Sequence, residues 1–286
     1  MKANAQSDPM RTGLSTVSPE AQPSGRSALP EIEVERVPHK AEPRSQASAL
    51  TTVGGESIDP REVNAHLEGL SAQEAIRWAL ETFNPRLRFA ASFQKTSSVT
   101  VDIVSGLRDE NPELGEPHFF YLDTDVLFDE TYLTRDSLSA KYGIDFERFS
   151  GISLEEQADL YGDELWARQP DACCGIRKVE PMREALTGID CWVSGIRRED
   201  SQTRAGAAKF GWDKRFGLWK LNPLADWTEA EVWDYINERE IPYNPLHDAG
   251  FPSIGCTHCT RPPNADGNSR SGRWADAHKT ECGLHG

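Results

Sequence analysis

The sequence predicts an α/β fold built on a parallel sheet, because strand, loop and helix follow one another twice in a chain of domain length. An apolar segment at 87–91 is followed by a polar loop and a helix, and the same order recurs from 118 to 142, before a further strand near 146–149. Strands that alternate with helices pair in parallel, and their helices cover both faces of the sheet. With 286 residues, the chain can bury a substantial core.

Helix start and stop signals define the elements around these repeats. Ser71 and Glu74 form a capping box that begins the first clear helix, and an Asn-Pro pair at 84–85 ends it. The second repeat predicts a helix over 129–142 with Gly143 at its C-terminal end. Each helix of the predicted layers therefore has a local signal of its own.

The second half of the chain adds further strands at 191–195 and 218–221, and a helix that begins at a capping box formed by Thr228 and Glu231. Beyond Pro242 the chain becomes rich in Gly, Pro and Asn, yet it holds three of the six cysteines. The sequence thus predicts an α/β domain with an irregular, cysteine-bearing C-terminal segment.

Residues 1–57 differ in composition from the rest of the chain. They contain no aromatic residue and are rich in Pro, Ser, Ala, Gln and Glu. Such a segment buries too little apolar surface to offset the entropy of ordering it. We expect a disordered tail at 1–57 and an ordered domain at 58–286, within which the segment at about 265–286 is mobile.

The charge balance limits the partners of the protein. Lys and Arg number 31 against 46 Asp and Glu, which gives a net charge of −15. Such a surface repels phosphate backbones and argues against general nucleic-acid binding, so an anionic substrate needs a local positive pocket. Because we find neither a membrane-spanning apolar run nor the apolar region of a signal peptide, we expect a soluble, cytoplasmic protein with no membrane partner. The sequence leaves open whether the chain forms a homo-oligomer.

Four cysteines form two groups with the spacing of metal ligands. Cys173 and Cys174 are adjacent, and Cys256 and Cys259 form a C-x-x-C turn. In a reducing compartment such spacing indicates metal binding or thiol chemistry rather than disulfides. Adjacent side chains diverge, which suits the separate iron corners of a [4Fe-4S] cluster better than one tetrahedral zinc. A closed zinc site and a set of inert buried thiols remain the alternatives.

The other two cysteines lie in very different contexts. Cys191 is inside an apolar strand and is expected to be a buried small side chain. Cys282 lies near the chain end beside a glycine, where a nucleophile can enter a pocket and then meet a second protein. Arg270 and Arg273 are close enough in sequence to lower the pKa of its thiol.

Basic and hydroxyl side chains supply candidate anion contacts. Lys178 lies four residues after Cys174, so on a helix it shares that cysteine's face, unless it belongs to a solvated surface. Ser92 begins a polar loop that opens a helix, where the dipole favours phosphate. The turn after the strand at 191–195 lies at the same sheet edge and carries three arginines, Arg197, Arg198 and Arg204. Taken alone, the first loop is also explained as a helix cap and the second as a solvated turn.

Together these segments resemble one family, the thioredoxin-dependent adenylylsulfate and phosphoadenylylsulfate reductases of sulfate assimilation. The resemblance covers the chain from about residue 58 to the C-terminus. It is carried by SFQ at 92–94, LDTDVLF at 122–128, CCGIRK at 173–178, GIRR at 195–198, NPLADW at 222–227, GCTHC at 255–259, RSGRW at 270–274 and ECGLH at 281–285.

The resemblance implies a PP-loop domain, similar to the adenine nucleotide alpha hydrolases, that reduces adenylylsulfate to sulfite and AMP. Cys282 would attack the sulfate sulfur to form an S-sulfocysteine, and thioredoxin would then release sulfite. The loop at 92–98 would receive the phosphosulfate, and the sheet edge near 122–128 would hold the adenosine. The residues implied to contact the phosphosulfate are Lys178, Arg270, Arg273 and His285. Those implied to ligate a [4Fe-4S] cluster are Cys173, Cys174, Cys256 and Cys259.

Three alternatives accompany this interpretation. The complete cysteine set marks the cluster-containing branch, usually specific for adenylylsulfate, but phosphoadenylylsulfate is the alternative substrate. An ATP-using PP-loop ligase or adenylyltransferase would need a Gly-rich S-G-G-x-D-S loop, which 92–98 lacks. A non-catalytic iron-sulfur redox sensor would not need the arginine-bearing turns or the terminal Cys-Gly-Leu-His. His258 departs from the family pattern, because many members have proline between the ligating cysteines.

Overall fold

The computed structural model of the chain describes residues 50–51, 57–263, 270–275, 279 and 281–285. Most of the predicted tail lies outside these residues, so its disorder stays a prediction. Its described end forms a short antiparallel pair, in which β1 (Leu50–Thr51) aligns Leu50 with Ile58 of β2 (Ser57–Ile58). The mobility expected for about 265–286 also stays a prediction.

The helices of the described chain begin and end largely where the sequence signals them. They are α1 (Pro60–Glu68), α2 (Ala72–Phe83), α3 (Lys95–Glu110), α4 (Asp129–Tyr142), α5 (Leu154–Tyr161), α6 (Leu165–Arg168), α7 (Pro170–Cys174), α8 (Glu180–Ala185) and α9 (Glu229–Glu238). Both predicted capping boxes are confirmed, at the starts of α2 and α9. Gly143 ends α4 in the left-handed conformation, with φ of 63°.

A six-stranded sheet forms the centre of the domain. Its strands are β3 (Leu87–Ala90), β4 (Phe119–Asp123), β5 (Phe146–Ser150), β6 (Cys191–Val193), β7 (Phe210–Asp213) and β8 (Leu218–Leu221). Their order across the sheet is β5-β4-β3-β6-β8-β7, and only the edge strand β7 runs antiparallel to its neighbour. The predicted α/β fold with a parallel sheet is confirmed.

The strand order reverses beside β3. From β3 the chain moves outward through β4 to β5 and then returns to place β6 on the other side of β3. In open α/β sheets the loops at such a reversal separate and leave a crevice at the carboxyl ends of the strands. The crevice here lies between the loop after β3 and the loop after β6.

Apolar side chains cover both faces of the sheet. Along β4, Phe119 and Tyr121 belong to the larger core, and Phe120 between them belongs to a second core on the opposite face. The same alternation places Cys191 in the larger core and Trp192 in the second. Successive strand residues point to opposite faces, so the period of two in sequence becomes two apolar layers.

Some elements differ from the sequence-based expectation. Strand β7 and the helices α1, α5, α6 and α8 were not predicted, and the strand expected at 191–195 ends at Val193. After Val193 the chain leaves the sheet and enters the loop that lines the crevice. The described part of the segment after Pro242 contains short 3-10 turns and isolated β-bridges but no α-helix or strand, as expected of an irregular segment. None of the described helices has the length and apolar character that crossing a bilayer requires.

Candidate active site

A cavity of about 510 Å³ opens at the crevice between β3 and β6. The loop after β3 contributes Ser92, and the region after β4 contributes Leu127. The loop after β6 contributes Ser194 and Gly195. Three consecutive parallel strands therefore direct their carboxyl-terminal loops to one cavity, which has room for a nucleotide-sized ligand.

Helix α3 begins at this cavity with a polar first turn that is tied to the C-terminal half of the chain. The backbone N–H of Lys95 donates to Nε2 of His247 at 3.3 Å, and Gln94 Oε1 accepts from the backbone N–H of Ile254 at 2.9 Å. Lys95 Nζ donates to Glu229 Oε1 at 2.6 Å. Ser97 also lines the cavity, and its buried hydroxyl has no hydrogen-bond partner among the described residues. The loop is thus held in place while a hydroxyl is left for a ligand.

The two loops of the crevice approach each other closely at Gly195. A Cβ on this residue would lie 2.8 Å from Thr96 Oγ1, a distance that real Cβ atoms essentially never show. Glycine is needed here because of this approach, since no larger residue leaves room for the first turn of α3.

Two of the three predicted arginines of the β6 loop line the cavity, but with carboxylate partners. Arg197 is buried, and its Nη2 donates to Glu229 Oε2 at 2.6 Å. Arg204 Nη1 donates to Asp200 Oδ2 at 3.2 Å. Their positive charge is therefore shared with protein carboxylates before any ligand binds.

Arg198 is not among the residues that line the cavity. Its Nη2 donates to Glu68 Oε1 at 2.6 Å, and its Nε donates to the Ala207 carbonyl at 2.8 Å. The side chain points to α1, an element that sequence reasoning did not predict. The structure therefore favours a structural contact of Arg198 between the β6 loop and α1 over the expected substrate contact, which stays a prediction.

The four cysteines of the two predicted groups line one common cavity of about 180 Å³. Burial and the neighbouring thiols raise the pKa of Cys173 to about 12 and that of Cys259 to about 11, and burial also raises the pKa of Cys174. Within the described residues, no three His, Cys, Asp or Glu side chains converge on a single metal-ion position. Helix α7 and the 256–259 turn are far apart in sequence, and the fold brings them to this cavity.

Two cations lie between the cysteine cavity and the larger cavity. Lys178 and Arg273 line both of them. Arg273 is buried, and its Nη1 donates to Ser253 Oγ at 3.1 Å and to the Ile254 carbonyl at 3.3 Å. These bonds fix the guanidinium, while the lysine adds a second positive charge. Lys178 and the cysteine pair therefore line the same cavity, which agrees with the proximity that the sequence predicted.

Two further side chains complete the surroundings of the cysteine cavity. Arg177 is buried beside it, and its Nη1 donates to the Thr124 carbonyl at 3.0 Å and to Asp125 Oδ2 at 3.1 Å, so it fixes the loop after β4. His258 stacks on Trp166, with ring centroids 4.9 Å apart and an interplanar angle of 14°. A flat ring at position 258 therefore packs on an aromatic neighbour.

Cys282 lies in the larger cavity together with Arg270. Burial alone would raise the pKa of its thiol, but Lys178, the backbone N–H of Leu284 and Arg273 outweigh burial and lower the pKa below its usual value. The thiolate is the nucleophilic form of cysteine, so the cavity favours the reactive state. In contrast, Cys191 is fully buried in β6, as predicted.

The residues around Cys282 hold the chain end against the cavity. Glu281 accepts hydrogen bonds from Arg204 and Arg270. His285 lines the cavity, stacks on Trp192 and lies 3.0 Å from Lys220 through its Nδ1. Sequence reasoning missed Glu281 and Lys220. The signal for Lys220 was a lysine inside the otherwise apolar strand 218–221, a residue type that is rarely buried without a partner.

Known proteins resemble this chain over most of its length. The profile of the phosphoadenosine phosphosulfate reductase domain matches residues 86–262. An adenosine 5′-phosphosulfate reductase of Salinibacter ruber is 44% identical over 225 residues, which are 78% of this chain and 87% of the relative. One of Shouchella clausii is 42% identical over 233 residues, which are 80% of this chain and 94% of the relative.

A solved structure agrees with these relatives. The phosphoadenylyl-sulfate reductase of Candida auris, crystallised with phosphate, is 31% identical and superposes with a TM-score of 0.62. The match covers 72% of this chain and 99% of that protein. The family profile, the relatives and the solved structure indicate the same family. The chain therefore belongs to the phosphoadenosine phosphosulfate reductase family.

Proposed function

We propose that the protein reduces adenylylsulfate to sulfite and AMP, with Cys282 as the nucleophile and thioredoxin as the reductant. The observation that carries the proposal is a thiol of lowered pKa in a cavity that also contains Lys178, Arg270 and Arg273. The cations suit a substrate in which a phosphate and a sulfate group are joined. The thiolate suits attack on the sulfur of the sulfate group.

In the first step, the Cys282 thiolate attacks the sulfur of the sulfate group. An S–S bond forms as the bond between that sulfur and the bridging oxygen breaks, and the electron pair of the broken bond leaves with AMP. Lys178 and Arg273 offset the negative charge of the phosphosulfate, and Arg270 adds a third cation. The product on the protein is Cys282 S-sulfocysteine.

In the second step, a thioredoxin thiolate attacks Cys282 Sγ and expels sulfite. This leaves a mixed disulfide, which the second thioredoxin thiol resolves, so that Cys282 returns as a thiol and thioredoxin leaves oxidised. The two electrons that reduce sulfate to sulfite therefore come from the thioredoxin dithiol. Access of thioredoxin to Sγ requires that the peptide around Cys282 leave the cavity.

We also propose a [4Fe-4S] cluster in the cysteine cavity, held by Cys173, Cys174, Cys256 and Cys259. The support is a donor set of four sulfurs around one cavity, with Lys178 and Arg273 at its border. Cys173, Cys174 and Cys259 have raised pKa values, and iron ions would supply the positive charge that favours their thiolate forms. When bound, the cluster would cross-link α7 to the 256–259 turn and present charge beside Lys178.

The substrate is proposed to be adenylylsulfate because relatives at 39–44% identity are adenosine 5′-phosphosulfate reductases. Phosphoadenylylsulfate is the second candidate, because the similar Candida auris protein is a phosphoadenylyl-sulfate reductase. Steady-state kcat/KM for the two substrates, with reduced thioredoxin, separates them. A value for phosphoadenylylsulfate equal to or above that for adenylylsulfate would reverse the assignment.

The nucleophile is tested by trapping the intermediate. Anaerobic protein is incubated with adenylylsulfate and no thioredoxin, and digested peptides are examined by mass spectrometry for an added SO3 group. We expect the group on Cys282 and its discharge as sulfite when reduced thioredoxin is added. Cys282→Ser should form no adduct, because a serine hydroxyl is a poor nucleophile at neutral pH, whereas Cys191→Ser should form it. An adduct on Cys191, or sulfite production by Cys282→Ser, would exclude the mechanism.

A further inference from the structure

Lys220 is a partly buried cation next to the chain end, and neither the sequence nor the proposed mechanism has used it. It is aligned with Trp192 across the parallel pair of β8 and β6, so both side chains leave the sheet on the same face. Lys220 Nζ lies 4.6 Å from the centroid of the Trp192 ring, which is a cation–π contact.

His285 completes a three-residue cluster on this platform. Its ring lies parallel to the Trp192 ring, at 5.7 Å between centroids and 8° between planes. Its Nδ1 lies 3.0 Å from Lys220 Nζ. Trp192 is itself fixed, because its Nε1 donates to Asp213 Oδ2 at 3.2 Å. The cluster therefore holds the ring plane and one ring nitrogen of His285 at the edge of the substrate cavity.

The chemistry of the two partners determines which nitrogen carries the proton. An ammonium group has only donors, so a hydrogen bond from Lys220 requires an unprotonated Nδ1 on His285. The neutral imidazole then carries its hydrogen on Nε2, which has no other partner among the described residues.

Nearby positive charges also favour the neutral form of the His285 ring. Lys220, Arg204 and Arg270 face His285, and together with burial, the largest influence, they hold the pKa of the ring well below its usual value. Burial lowers the pKa of Lys220 to about 8, while Asp213 and Glu281 act against that shift. At neutral pH the lysine is still mainly protonated and the histidine is neutral.

We infer that Lys220 is a positioning residue that holds His285 as the neutral tautomer protonated on Nε2, so that His285 meets an anionic substrate as a hydrogen-bond donor and not as a cation. The second half of this inference rests on the proposed function, because it needs an anionic substrate in the cavity. The first half concerns the substrate-free protein and can be tested without turnover.

The tautomer is measured by long-range ¹H–¹⁵N NMR on full-length protein labelled at histidine and prepared anaerobically with its metal content intact. His285→Gln identifies the resonances among the seven histidines. In the wild type we expect Nε2 to be protonated and Nδ1 bare from pH 6 to 7, where Lys220 is mainly an ammonium group. A ring that is protonated at Nδ1, or at both nitrogens, at pH 7 would overturn the inference.

Variants of Lys220 then test whether this lysine determines the tautomer of His285. Lys220→Met should bring in the second tautomer and raise the pKa of the ring, while Lys220→Arg, which keeps a cationic donor, should retain the wild-type tautomer. An unchanged His285 spectrum in Lys220→Met would refute the role of Lys220. If Lys220→Met does not fold, the wild-type spectrum still tests the tautomer, and a changed tautomer in Lys220→Arg would refute the role of a cationic donor at this position. Lys214→Met, at an exposed lysine in the same hairpin, is the control and should change nothing.

Kinetic measurements test the second half of the inference, that His285 donates a hydrogen bond to the substrate. Lys220→Met should lower kcat/KM for adenylylsulfate roughly 10- to 100-fold, mainly through KM, because a misplaced donor no longer meets the anion. Lys220→Arg should recover most of this loss. A Lys220→Met enzyme with mixed tautomers and wild-type kcat/KM would refute the donor role alone. If the wild type has the expected tautomer but does not turn over adenylylsulfate, the proposed function fails while the tautomer assignment stands.

Discussion

Glu281 directly precedes Cys282 and anchors the C-terminal peptide to the arginines of the cavity. Its carboxylate accepts from Arg204 Nε at 3.1 Å and Nη2 at 2.9 Å, and from Arg270 Nη2 at 3.1 Å. The side chains of Glu281, Arg204 and Arg270 are 16%, 12% and 13% exposed, so water screens these pairs only weakly. Glu281→Gln keeps the shape of the side chain and removes its charge, which makes it a direct test of this anchor.

The expected loss follows from the difference between charged and neutral hydrogen bonds. A bond to a charged group contributes roughly 1.5–3 kcal/mol, against roughly 0.5–1.5 kcal/mol for a neutral pair. Glutamine keeps one acceptor oxygen, so we expect the closed position of the peptide to lose about 1–2 kcal/mol of stability. That corresponds to a roughly 5- to 30-fold larger open fraction.

Hydrogen exchange followed by mass spectrometry measures this fraction on the peptide that contains residues 281–285. Protection of that peptide should fall by the same factor in Glu281→Gln, because exchange there reports local opening. Glu281→Asp keeps the charge and should lose less. Glu238→Gln, at an exposed carboxylate that ends α9, is the matched control and should exchange like the wild type. Equal protection in Glu281→Gln and the wild type would refute the anchor.

Three other predictions address the proposed cluster, Lys178 and Arg198. Cys256→Ser should lose both iron and acid-labile sulfide in anaerobic metal analysis, and one zinc without sulfide in the wild type would contradict the cluster. Lys178→Ala should lower kcat/KM roughly 10- to 150-fold. It should also raise the pKa of Cys282, so that iodoacetamide alkylates this thiol more slowly at pH 7 and the alkylation profile moves to higher pH. Arg198→Ala should leave KM unchanged and lower the thermal midpoint, because its contact with Glu68 joins two elements; a raised KM would return Arg198 to the substrate site.

The parallel sheet could be predicted from the sequence because its signals are local. Capping boxes begin α2 and α9, and Gly143 ends α4, each within a few residues of chain. Strand β7 could not be found this way, because it has only four residues and two of them, Gly211 and Asp213, are of types that are uncommon in strands. It forms a strand by pairing with β8, which is a tertiary contact and leaves little trace in the residues themselves.

The candidate site could be predicted from the sequence where residue type and spacing together indicate the chemistry. It could not be predicted where the direction of a side chain depends on its partner in the fold. The cysteine groups and the cations around Cys282 share cavities as expected. Arg197, Arg198 and Arg204 look alike in sequence, yet two line the cavity and one turns toward Glu68. The difference depends on which carboxylate the fold brings within reach of each guanidinium, and those carboxylates lie up to 130 residues away in the chain.

Lys178 and Arg273 are the physical link between the two cavities. Both line the thiol-lined cavity and the cavity that contains Cys282, and both lower the pKa of the Cys282 thiol. A positive charge shared in this way responds to anions on either side, because attraction to one side changes what remains for the other. If the four cysteines hold an anionic cluster, as we propose, its charge would change the attraction that Lys178 and Arg273 offer to the Cys282 thiolate, without contact between the cluster and Cys282.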